Sequence, residues 1–434
     1  IITRKQFIKS FFYIYYMIIK NIILSKILNS RSQWTICAKI ECDKNILGIA
    51  SAPSGASTGK HEVKMYKLND IDKSIYYFEK NIKKFNWKFD SLSDLKNIEK
   101  KILKNNNINQ VGGNLIIAIE YAILDAWSKY KKIDLFKLIR KDKLTKEICI
   151  DTKLLIRPIG NVIGGGAHSG GNNTDFQEFL IICPDVSYEK SLEIIIQVHK
   201  EVKKELLKRD KSFSGSKTDE GAWASTLTNY ECLIILNKVI KNLSQKYKTS
   251  IRIGLDVAAS EFFKNGFYNY DKFESSPKIK HNCIKKKLHR DAHIDYILYL
   301  VEKFNIYYLE DPVEQNDSEG FEIMKNHLAH KDTLIVGDDL ICTNPQLLKK
   351  YKDSINSIIV KPNQVGSLLK TIEVLKKCKE YNIKPVFSHR SGETTDSILA
   401  DLAAGFNVSI IKCGETTGER IVKLNRLLEI DRIN

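Results

Sequence analysis

Six short apolar runs in the second half of this chain end on ionisable residues. RIGLD ends at Asp256, IYYLED carries Glu310 and LIVGDD carries Asp338. SIIVK ends at Lys361, KPVFSHRS carries His389, Arg390 and Ser391, and VSIIK ends at Lys412. One charged strand end means little, because strand ends often carry charge to meet water. Six in succession are hard to obtain from surface decoration. Three carboxylates brought together repel one another unless a cation holds them. Carboxylate oxygens without clustered His or Cys suit Mg²⁺ rather than zinc. The competing arrangement is three separate carboxylates, each paired with a lysine. A lysine beside another cation and a metal, in a dry site, has its ammonium form disfavoured and can act as a general base near neutral pH. Arg390 offers a planar fork for phosphate or carboxylate.

Such residues need elements that bring them together. Between the apolar runs lie helical stretches such as DYILYLVEKF (295–304) and LLKTIEVLKKCKEY (368–381). Upstream, 191–209 places Leu192, Ile195, Val198, Val202 and Leu206 on one face. Repeated β–α alternation with nearly continuous apolar strands predicts a parallel sheet with helices outside, and this many units predict a closed barrel. In a parallel barrel every strand's C-terminal end lies on the same face, so the six tips form one ring. Before the barrel, residues 35–50 read as two strands, followed by a Gly/Ser-rich loop at 51–59. From 71 to 141 the pattern is helical, including IIAIEYAILDAWSKY (116–130). The expected fold class is therefore α/β: a TIM-like barrel over 151–434 with a smaller α+β capping domain over 17–150. Residues 1–16 are expected to form an extension outside the fold, with Met17 as the start.

Other segments add candidate chemistry. GASTG (55–59) contains Ser57 in a backbone-exposing turn able to reach a metal or phosphate. NVIGGGAHSGG (161–171) carries His168, FQEF (176–179) carries Gln177 and Glu178, and TDEGAW (218–223) carries Glu220. Glu178 and Glu220 are candidate acids.

Composition narrows the class. The 434 residues suit a small domain beside a barrel, and an apolar fraction of 43% supports a core. Nine scattered cysteines without a Cys-x-x-Cys pair argue against a disulfide framework or a zinc ribbon and fit a reducing compartment. The formal charge of +17 raises binding to RNA or an anionic cell surface. The basic residues are spread along the whole chain and no folded nucleic-acid motif accompanies them, so skewed composition accounts for the charge better. FFYIYYMII (11–19) is too short to span a membrane and lacks a clear signal-peptide cleavage site.

Several stretches together resemble the enolase family, from about residue 17 to the C-terminus. They are SAPSGASTGKHE, GGGAHSGGNNTDFQEF, DEGAWA, IGLDVAASEFF, LEDPVEQND, VGDDLICTNP, IIVKPNQVGSL, FSHRSGETTD and IIKCGETTGERIVKLNRLLEI, in the family's order. The resemblance implies a cytoplasmic glycolytic hydro-lyase, homodimeric or a higher homo-oligomer. The implied reaction is reversible dehydration of 2-phosphoglycerate to phosphoenolpyruvate through an ene-diolate. On this reading Asp256, Glu310 and Asp338 bind a first Mg²⁺, and a second arrives with substrate at Ser57. Lys361 takes the C2 proton, and Glu220 protonates the leaving hydroxyl beside Glu178. Arg390 and Ser391 hold the phosphate and Lys412 the carboxylate. His168 and His389 close over the ligand, and Gln177 supports them. An antiparallel start to the barrel is also implied by the resemblance.

The chain departs from the family pattern in a few places. The early Asp-Ser-Arg-Gly-Asn-Pro stretch, near the subunit contact in relatives, reads NSRSQW (29–34) here. The loop between His168 and Gln177 differs in length from some relatives. Cys413 stands where threonine is usual, and 273–290 is unusually basic.

Overall fold

The computed structural model describes residues 16–55, 58–149, 154–166, 169, 171, 173–272, 286–414 and 417–433. Residues 1–15, Ser57, His168 and most of the basic stretch 273–290 lie outside the described residues.

The N-terminal part is built on β1 (Met17–Leu28), β2 (Trp34–Cys42), β3 (Leu47–Ser51) and β4 (Trp87–Phe89), in the antiparallel order β3-β2-β1-β4. On β2, Ile36, Ala38, Ile40 and Cys42 are buried at every second position, as a one-faced sheet requires. The helix Gly113–Lys131 packs on β2 and β3 and is buried on nearly all sides, which explains its almost wholly apolar sequence.

The second part contains β5 (Arg157–Gly164), β6 (Glu178–Ile182), β7 (Trp223–Ala224), β8 (Arg252–Asp256), β9 (Phe263–Lys264), β10 (Phe267–Asn269), β11 (Lys287–Leu288), β12 (Tyr308–Glu310), β13 (Leu334–Gly337), β14 (Ser357–Val360), β15 (Lys384–Ser388) and β16 (Ile410–Lys412). Among the described residues, β5, β6, β8 and β12–β16 follow one another around a closed barrel, and β16 pairs back to β5. β7 extends from β5, while β9–β11 form a small separate sheet. β6 runs antiparallel to both β5 and β8, and the other barrel pairings are parallel. Helices cover the outside, among them Tyr188–Arg209, Asn229–Tyr247, Arg290–Phe304, Leu368–Glu380 and Gly418–Ile433. The helix Tyr188–Arg209 buries Ile195, Val198, Val202 and Leu206 as the spacing predicts, whereas Leu192 is only partly buried. No helix among the described residues is long and apolar enough to cross a membrane.

Strand periodicity explains how this scaffold aims its polar groups. Ile159, Leu180, Ile182, Tyr308, Leu334, Val336, Ile359, Val386 and Ile410 form one buried cluster inside the barrel. Side chains two apart on a strand share a face. Asn161, Glu178, Glu310, Asp338, Lys361, Ser388 and Lys412 each lie two positions from a member of this cluster. They therefore continue the inward rows at one end of the barrel. Asp256 follows Gly254, where an added Cβ would come within 3.0 Å of Leu180 Cβ and 3.2 Å of Tyr308 Cβ. Glycine there gives Tyr308 room to fill the interior.

Candidate active site

At this end of the barrel a small cavity is lined by charged and polar side chains, including Asp256, Asp338, Lys361, Arg390 and Lys412. All six runs reach it at the C-terminal ends of their strands. IYYLED does so through Asp311, while its Glu310 is joined to the lining by an ion pair with Lys412. Glu178 comes from the first residue of β6, and only the reversed direction of that strand places it here. Its Cα pairs directly with that of Asp256.

Lys412 is the hub. Its Nζ lies 2.6 Å from Glu178 Oε2, 2.7 Å from Asp256 Oδ2 and 2.8 Å from Glu310 Oε2, all buried. Glu310 also accepts the Tyr308 hydroxyl at 2.5 Å, and Gln177 Nε2 donates to Asp256 Oδ2 at 3.1 Å. Lys361 pairs with Asp338 Oδ2, while Gln364 Nε2 donates to Asp338 Oδ1 at 3.0 Å. Each expected metal ligand is thus paired with a lysine: Asp256 and Glu310 share Lys412, and Asp338 pairs with Lys361.

The expectation for Lys361 concerns a site that holds a metal; the protein's own groups act on it in the other direction. Burial does work against its charge, but Asp338, with help from Glu310, outweighs burial and the repulsion of Arg390, raising its pKa above the ordinary lysine value. Lys412 is likewise held well above that value: burial opposes its charge, but Asp256, Glu178 and Glu310 overcome it. The carboxyls show the complementary strain. Glu310 is pushed up to about 8 by burial and then by Asp256, against the pull of Lys412. Asp339 is pushed up to about 7 by burial and by Asp338. Burial would raise Asp338 too, but Lys361 more than compensates and leaves it low.

The donor set suits a hard divalent cation. Asp311, Asp338 and Asp339 bring carboxylate oxygens within 4.8 Å of one another. The expected ligands Asp256 and Glu310 meet through Lys412 rather than in this acidic group. Crowded carboxylates that resist ionisation are a physical signature of a site able to hold a cation.

A second cluster adjoins the first. Asn161 Nδ2 donates to Glu178 Oε1 at 2.9 Å and to Glu220 Oε2 at 3.3 Å. His389 Nε2 lies 3.1 Å from Glu220 Oε2. Burial holds Glu178 well above the usual carboxyl range; Lys412 opposes this and Glu220 adds to it. Burial holds His389 below the usual histidine range, with Arg420 adding to that effect and Glu220 opposing it.

Arg390 is paired with groups of the neighbouring loops. Its Nη2 reaches both oxygens of Glu62, at 3.1 and 3.0 Å, and its Nη1 donates to Asn363 Oδ1 at 3.0 Å. Glu62 also accepts from Gly59 N at 3.2 Å, which ties the Gly/Ser loop to the cavity. Asn363 and Gln364 sit in the one-turn helix Pro362–Val365, so the KPNQ turn after β14 braces both Arg390 and Asp338. The NSRSQW segment packs on the same loops. Asn29 Nδ2 donates to Ser54 Oγ at 2.5 Å, Ser30 Oγ to Ser391 O at 3.2 Å, and Arg31 pairs with Asp219.

The structure therefore brings together Lys361, Glu220, Glu178, Gln177, His389, Arg390, Ser391, Lys412, Asp256 and Asp338 around one cavity, with Glu310 attached through Lys412. Ser57 and His168 lie outside the described residues. Sequence reasoning assigned no role to Glu62, Asn161, Asp339 or Arg420. Asn161 was accessible to it, because it lies two residues after Ile159 on an inward row. Arg420 carried no such signal.

Family models for the enolase N-terminal domain and the enolase C-terminal TIM barrel domain match residues 19–139 and 152–433. A protein named enolase from Methanosphaera stadtmanae is 37% identical over 95% of this chain and 97% of its own length. Enolases from Picrophilus torridus and Ureaplasma parvum are 35% and 34% identical, over 95% and 96% of this chain and 98% and 96% of their own lengths. Joined to a barrel that gathers two lysines and a crowd of carboxylates at one mouth, these similarities lead to one conclusion: the chain belongs to the enolase family.

Proposed function

We propose that the protein is a glycolytic, cytoplasmic hydro-lyase that reversibly dehydrates 2-phosphoglycerate to phosphoenolpyruvate with Mg²⁺, working as a homodimer or higher homo-oligomer. The observation that carries this reading is the convergence of Lys361, Lys412 and Arg390 with Glu178, Glu220 and the carboxylate cluster around one buried cavity. A phosphorylated hydroxy acid needs cationic groups for two anionic ends, a base for C2 and an acid for the departing hydroxyl.

Asp256, Glu310 and Asp338 would hold one Mg²⁺, and a second, arriving with substrate, would be held at Ser57. When bound, the ions supply concentrated positive charge for the dianion that develops at the substrate carboxylate. Arg390 and Ser391 hold the phosphate, and Lys412 holds the carboxylate. Lys361 takes the proton from C2. Its ammonium is held by Asp338; a cation bound at Asp338 would offset that carboxylate's charge and weaken its hold on the proton. Glu220, beside Glu178, gives a proton to the leaving hydroxyl, which departs as water. His389 and His168 close over the ligand, and Gln177 steadies Asp256.

A coupled assay for phosphoenolpyruvate, with and without Mg²⁺, tests the reading. Turnover is expected only with the metal, and its absence under both conditions overturns the proposal. Lys361→Ala is expected to abolish exchange of the C2 proton with deuterated solvent. Continued exchange would remove the role given to Lys361.

A further inference from the structure

Arg420 is the largest fully buried side chain among the described residues, in the first turn of the helix Gly418–Ile433. Its Nε donates to His389 Nδ1 at 3.0 Å. Its Nη2 donates to Ser391 O at 3.2 Å and Arg390 O at 3.4 Å, and its Nη1 donates to Thr417 Oγ1 at 3.1 Å and pairs with Glu419. Gly414 makes this course available: at φ +54°, an added Cβ there would come within 2.8 Å of Arg420 Cδ and 3.0 Å of Glu220 O.

A guanidinium has only donors and does not lose its proton inside proteins. An Nε–H aimed at Nδ1 therefore requires a lone pair on Nδ1. The ring's single proton then lies on Nε2, which faces Glu220 Oε2 at 3.1 Å. We propose that Arg420 is a positioning residue that locks His389 as the neutral Nε2–H tautomer. The ring then donates to Glu220 Oε2 and fixes that carboxyl in place beside Glu178.

The surrounding charges fit. Among the described residues, Glu220, Arg420 and Glu393 are the charged groups that act most strongly on His389. Glu393 is neutralised by Lys423 at 2.8 Å, and Glu419 pairs with Arg420 rather than with the ring. The inference rests on the reading of Glu220 as the acid of the dehydration, but its primary test needs no turnover.

Protein labelled with ¹⁵N-histidine reports the tautomer directly, with the His389 signal assigned by its loss in His389→Gln. Across the neutral range, Nδ1 is expected to show the unprotonated resonance and Nε2 the protonated one. A protonated Nδ1 in the unmutated protein overturns the proposal, whatever the activity. Arg420→Met, which cannot donate, is expected to mix the tautomers and lower kcat about ten- to hundredfold with KM little changed. It should also add an acidic limb to the pH profile, because an imidazolium beside Glu220 would strip the acid of its proton. Arg420→Lys keeps a donor and should retain the tautomer and most of kcat. Equal losses in both variants with an unchanged tautomer would show a purely structural arginine and overturn the proposal. Failure of the Mg²⁺-dependent assay with the tautomer intact would sink the proposed reaction alone.

Discussion

Two regions of this molecule bury carboxyl groups, and they balance them differently. At the barrel mouth Lys412 sits within 2.8 Å of three buried carboxylates. Where the helices Leu95–Leu103 and Gly113–Lys131 meet the start of Leu368–Glu380, Glu120 is fully buried with no cation among its influences. Its Oε2 accepts Leu368 N at 2.9 Å, and its Oε1 finds no hydrogen-bond donor among the described residues. Beside it, Glu99 accepts the Ser367 hydroxyl at 2.5 Å. Burial and then Glu99 hold Glu120 well above the usual carboxyl range. At the mouth, opposite charge keeps the carboxylates in place, whereas at the seam a proton does. The first arrangement responds to whatever brings or removes a cation. The second responds to pH.

The largest effect is expected from Lys412→Met, which leaves three carboxylates without their shared partner. Breaking a buried ion pair from one side costs about 3–5 kcal/mol. Chemical denaturation at neutral pH should show a loss of that order, and turnover should vanish. A variant as stable as the parent would mean that the carboxylates do not depend on Lys412.

Glu120→Gln tests the other side of the comparison. A carboxyl whose folded pKa is raised contributes stability that is fully present below its unfolded value, near 4.5, and is lost as pH rises towards the folded value. The variant's stability relative to the parent should therefore rise steadily as pH increases above about 4.5. Parallel pH–stability curves would exclude a proton held at the seam.

The smallest effect is expected from Ser367→Ala. Ser367 caps the helix Leu368–Glu380 by accepting from Lys370 N at 3.2 Å, and it also donates to Glu99. Loss of a cap costs about 1 kcal/mol. A loss of that size, insensitive to Mg²⁺, would keep the seam energetically separate from the mouth. A metal-dependent loss would join the two.

Much of the site was legible before any coordinates. The six runs ending at Asp256, Glu310, Asp338, Lys361, His389–Ser391 and Lys412 identify a ring because strand side chains alternate with period two and parallel strand ends share a face. The same logic reaches Asn161 through Ile159. β1 was missed. Its sequence, MIIKNIILSKIL, does not alternate cleanly, and the structure shows why: the register with β2 slips between Ile19 and Asn21. Glu62 was quoted within a motif, but its grip on Arg390 spans 328 positions and no local pattern encodes it. Arg420, near the start of a helix, reads as an ordinary solvent-facing base until the helix is docked.

Residue type and spacing alone determined which groups arrive at the barrel mouth and in what order around it, because both follow from alternation along each strand and succession along the chain. Tertiary structure decided their states. It turned β6 around so that Glu178 meets Asp256, charged Lys361 against Asp338, and pointed a guanidinium at one nitrogen of His389. Those outcomes depend on distances of about 3 Å between segments far apart in sequence, such as the 156 positions separating Asp256 from Lys412. Electrostatic energy in a buried site changes steeply over such distances, and only packing sets them.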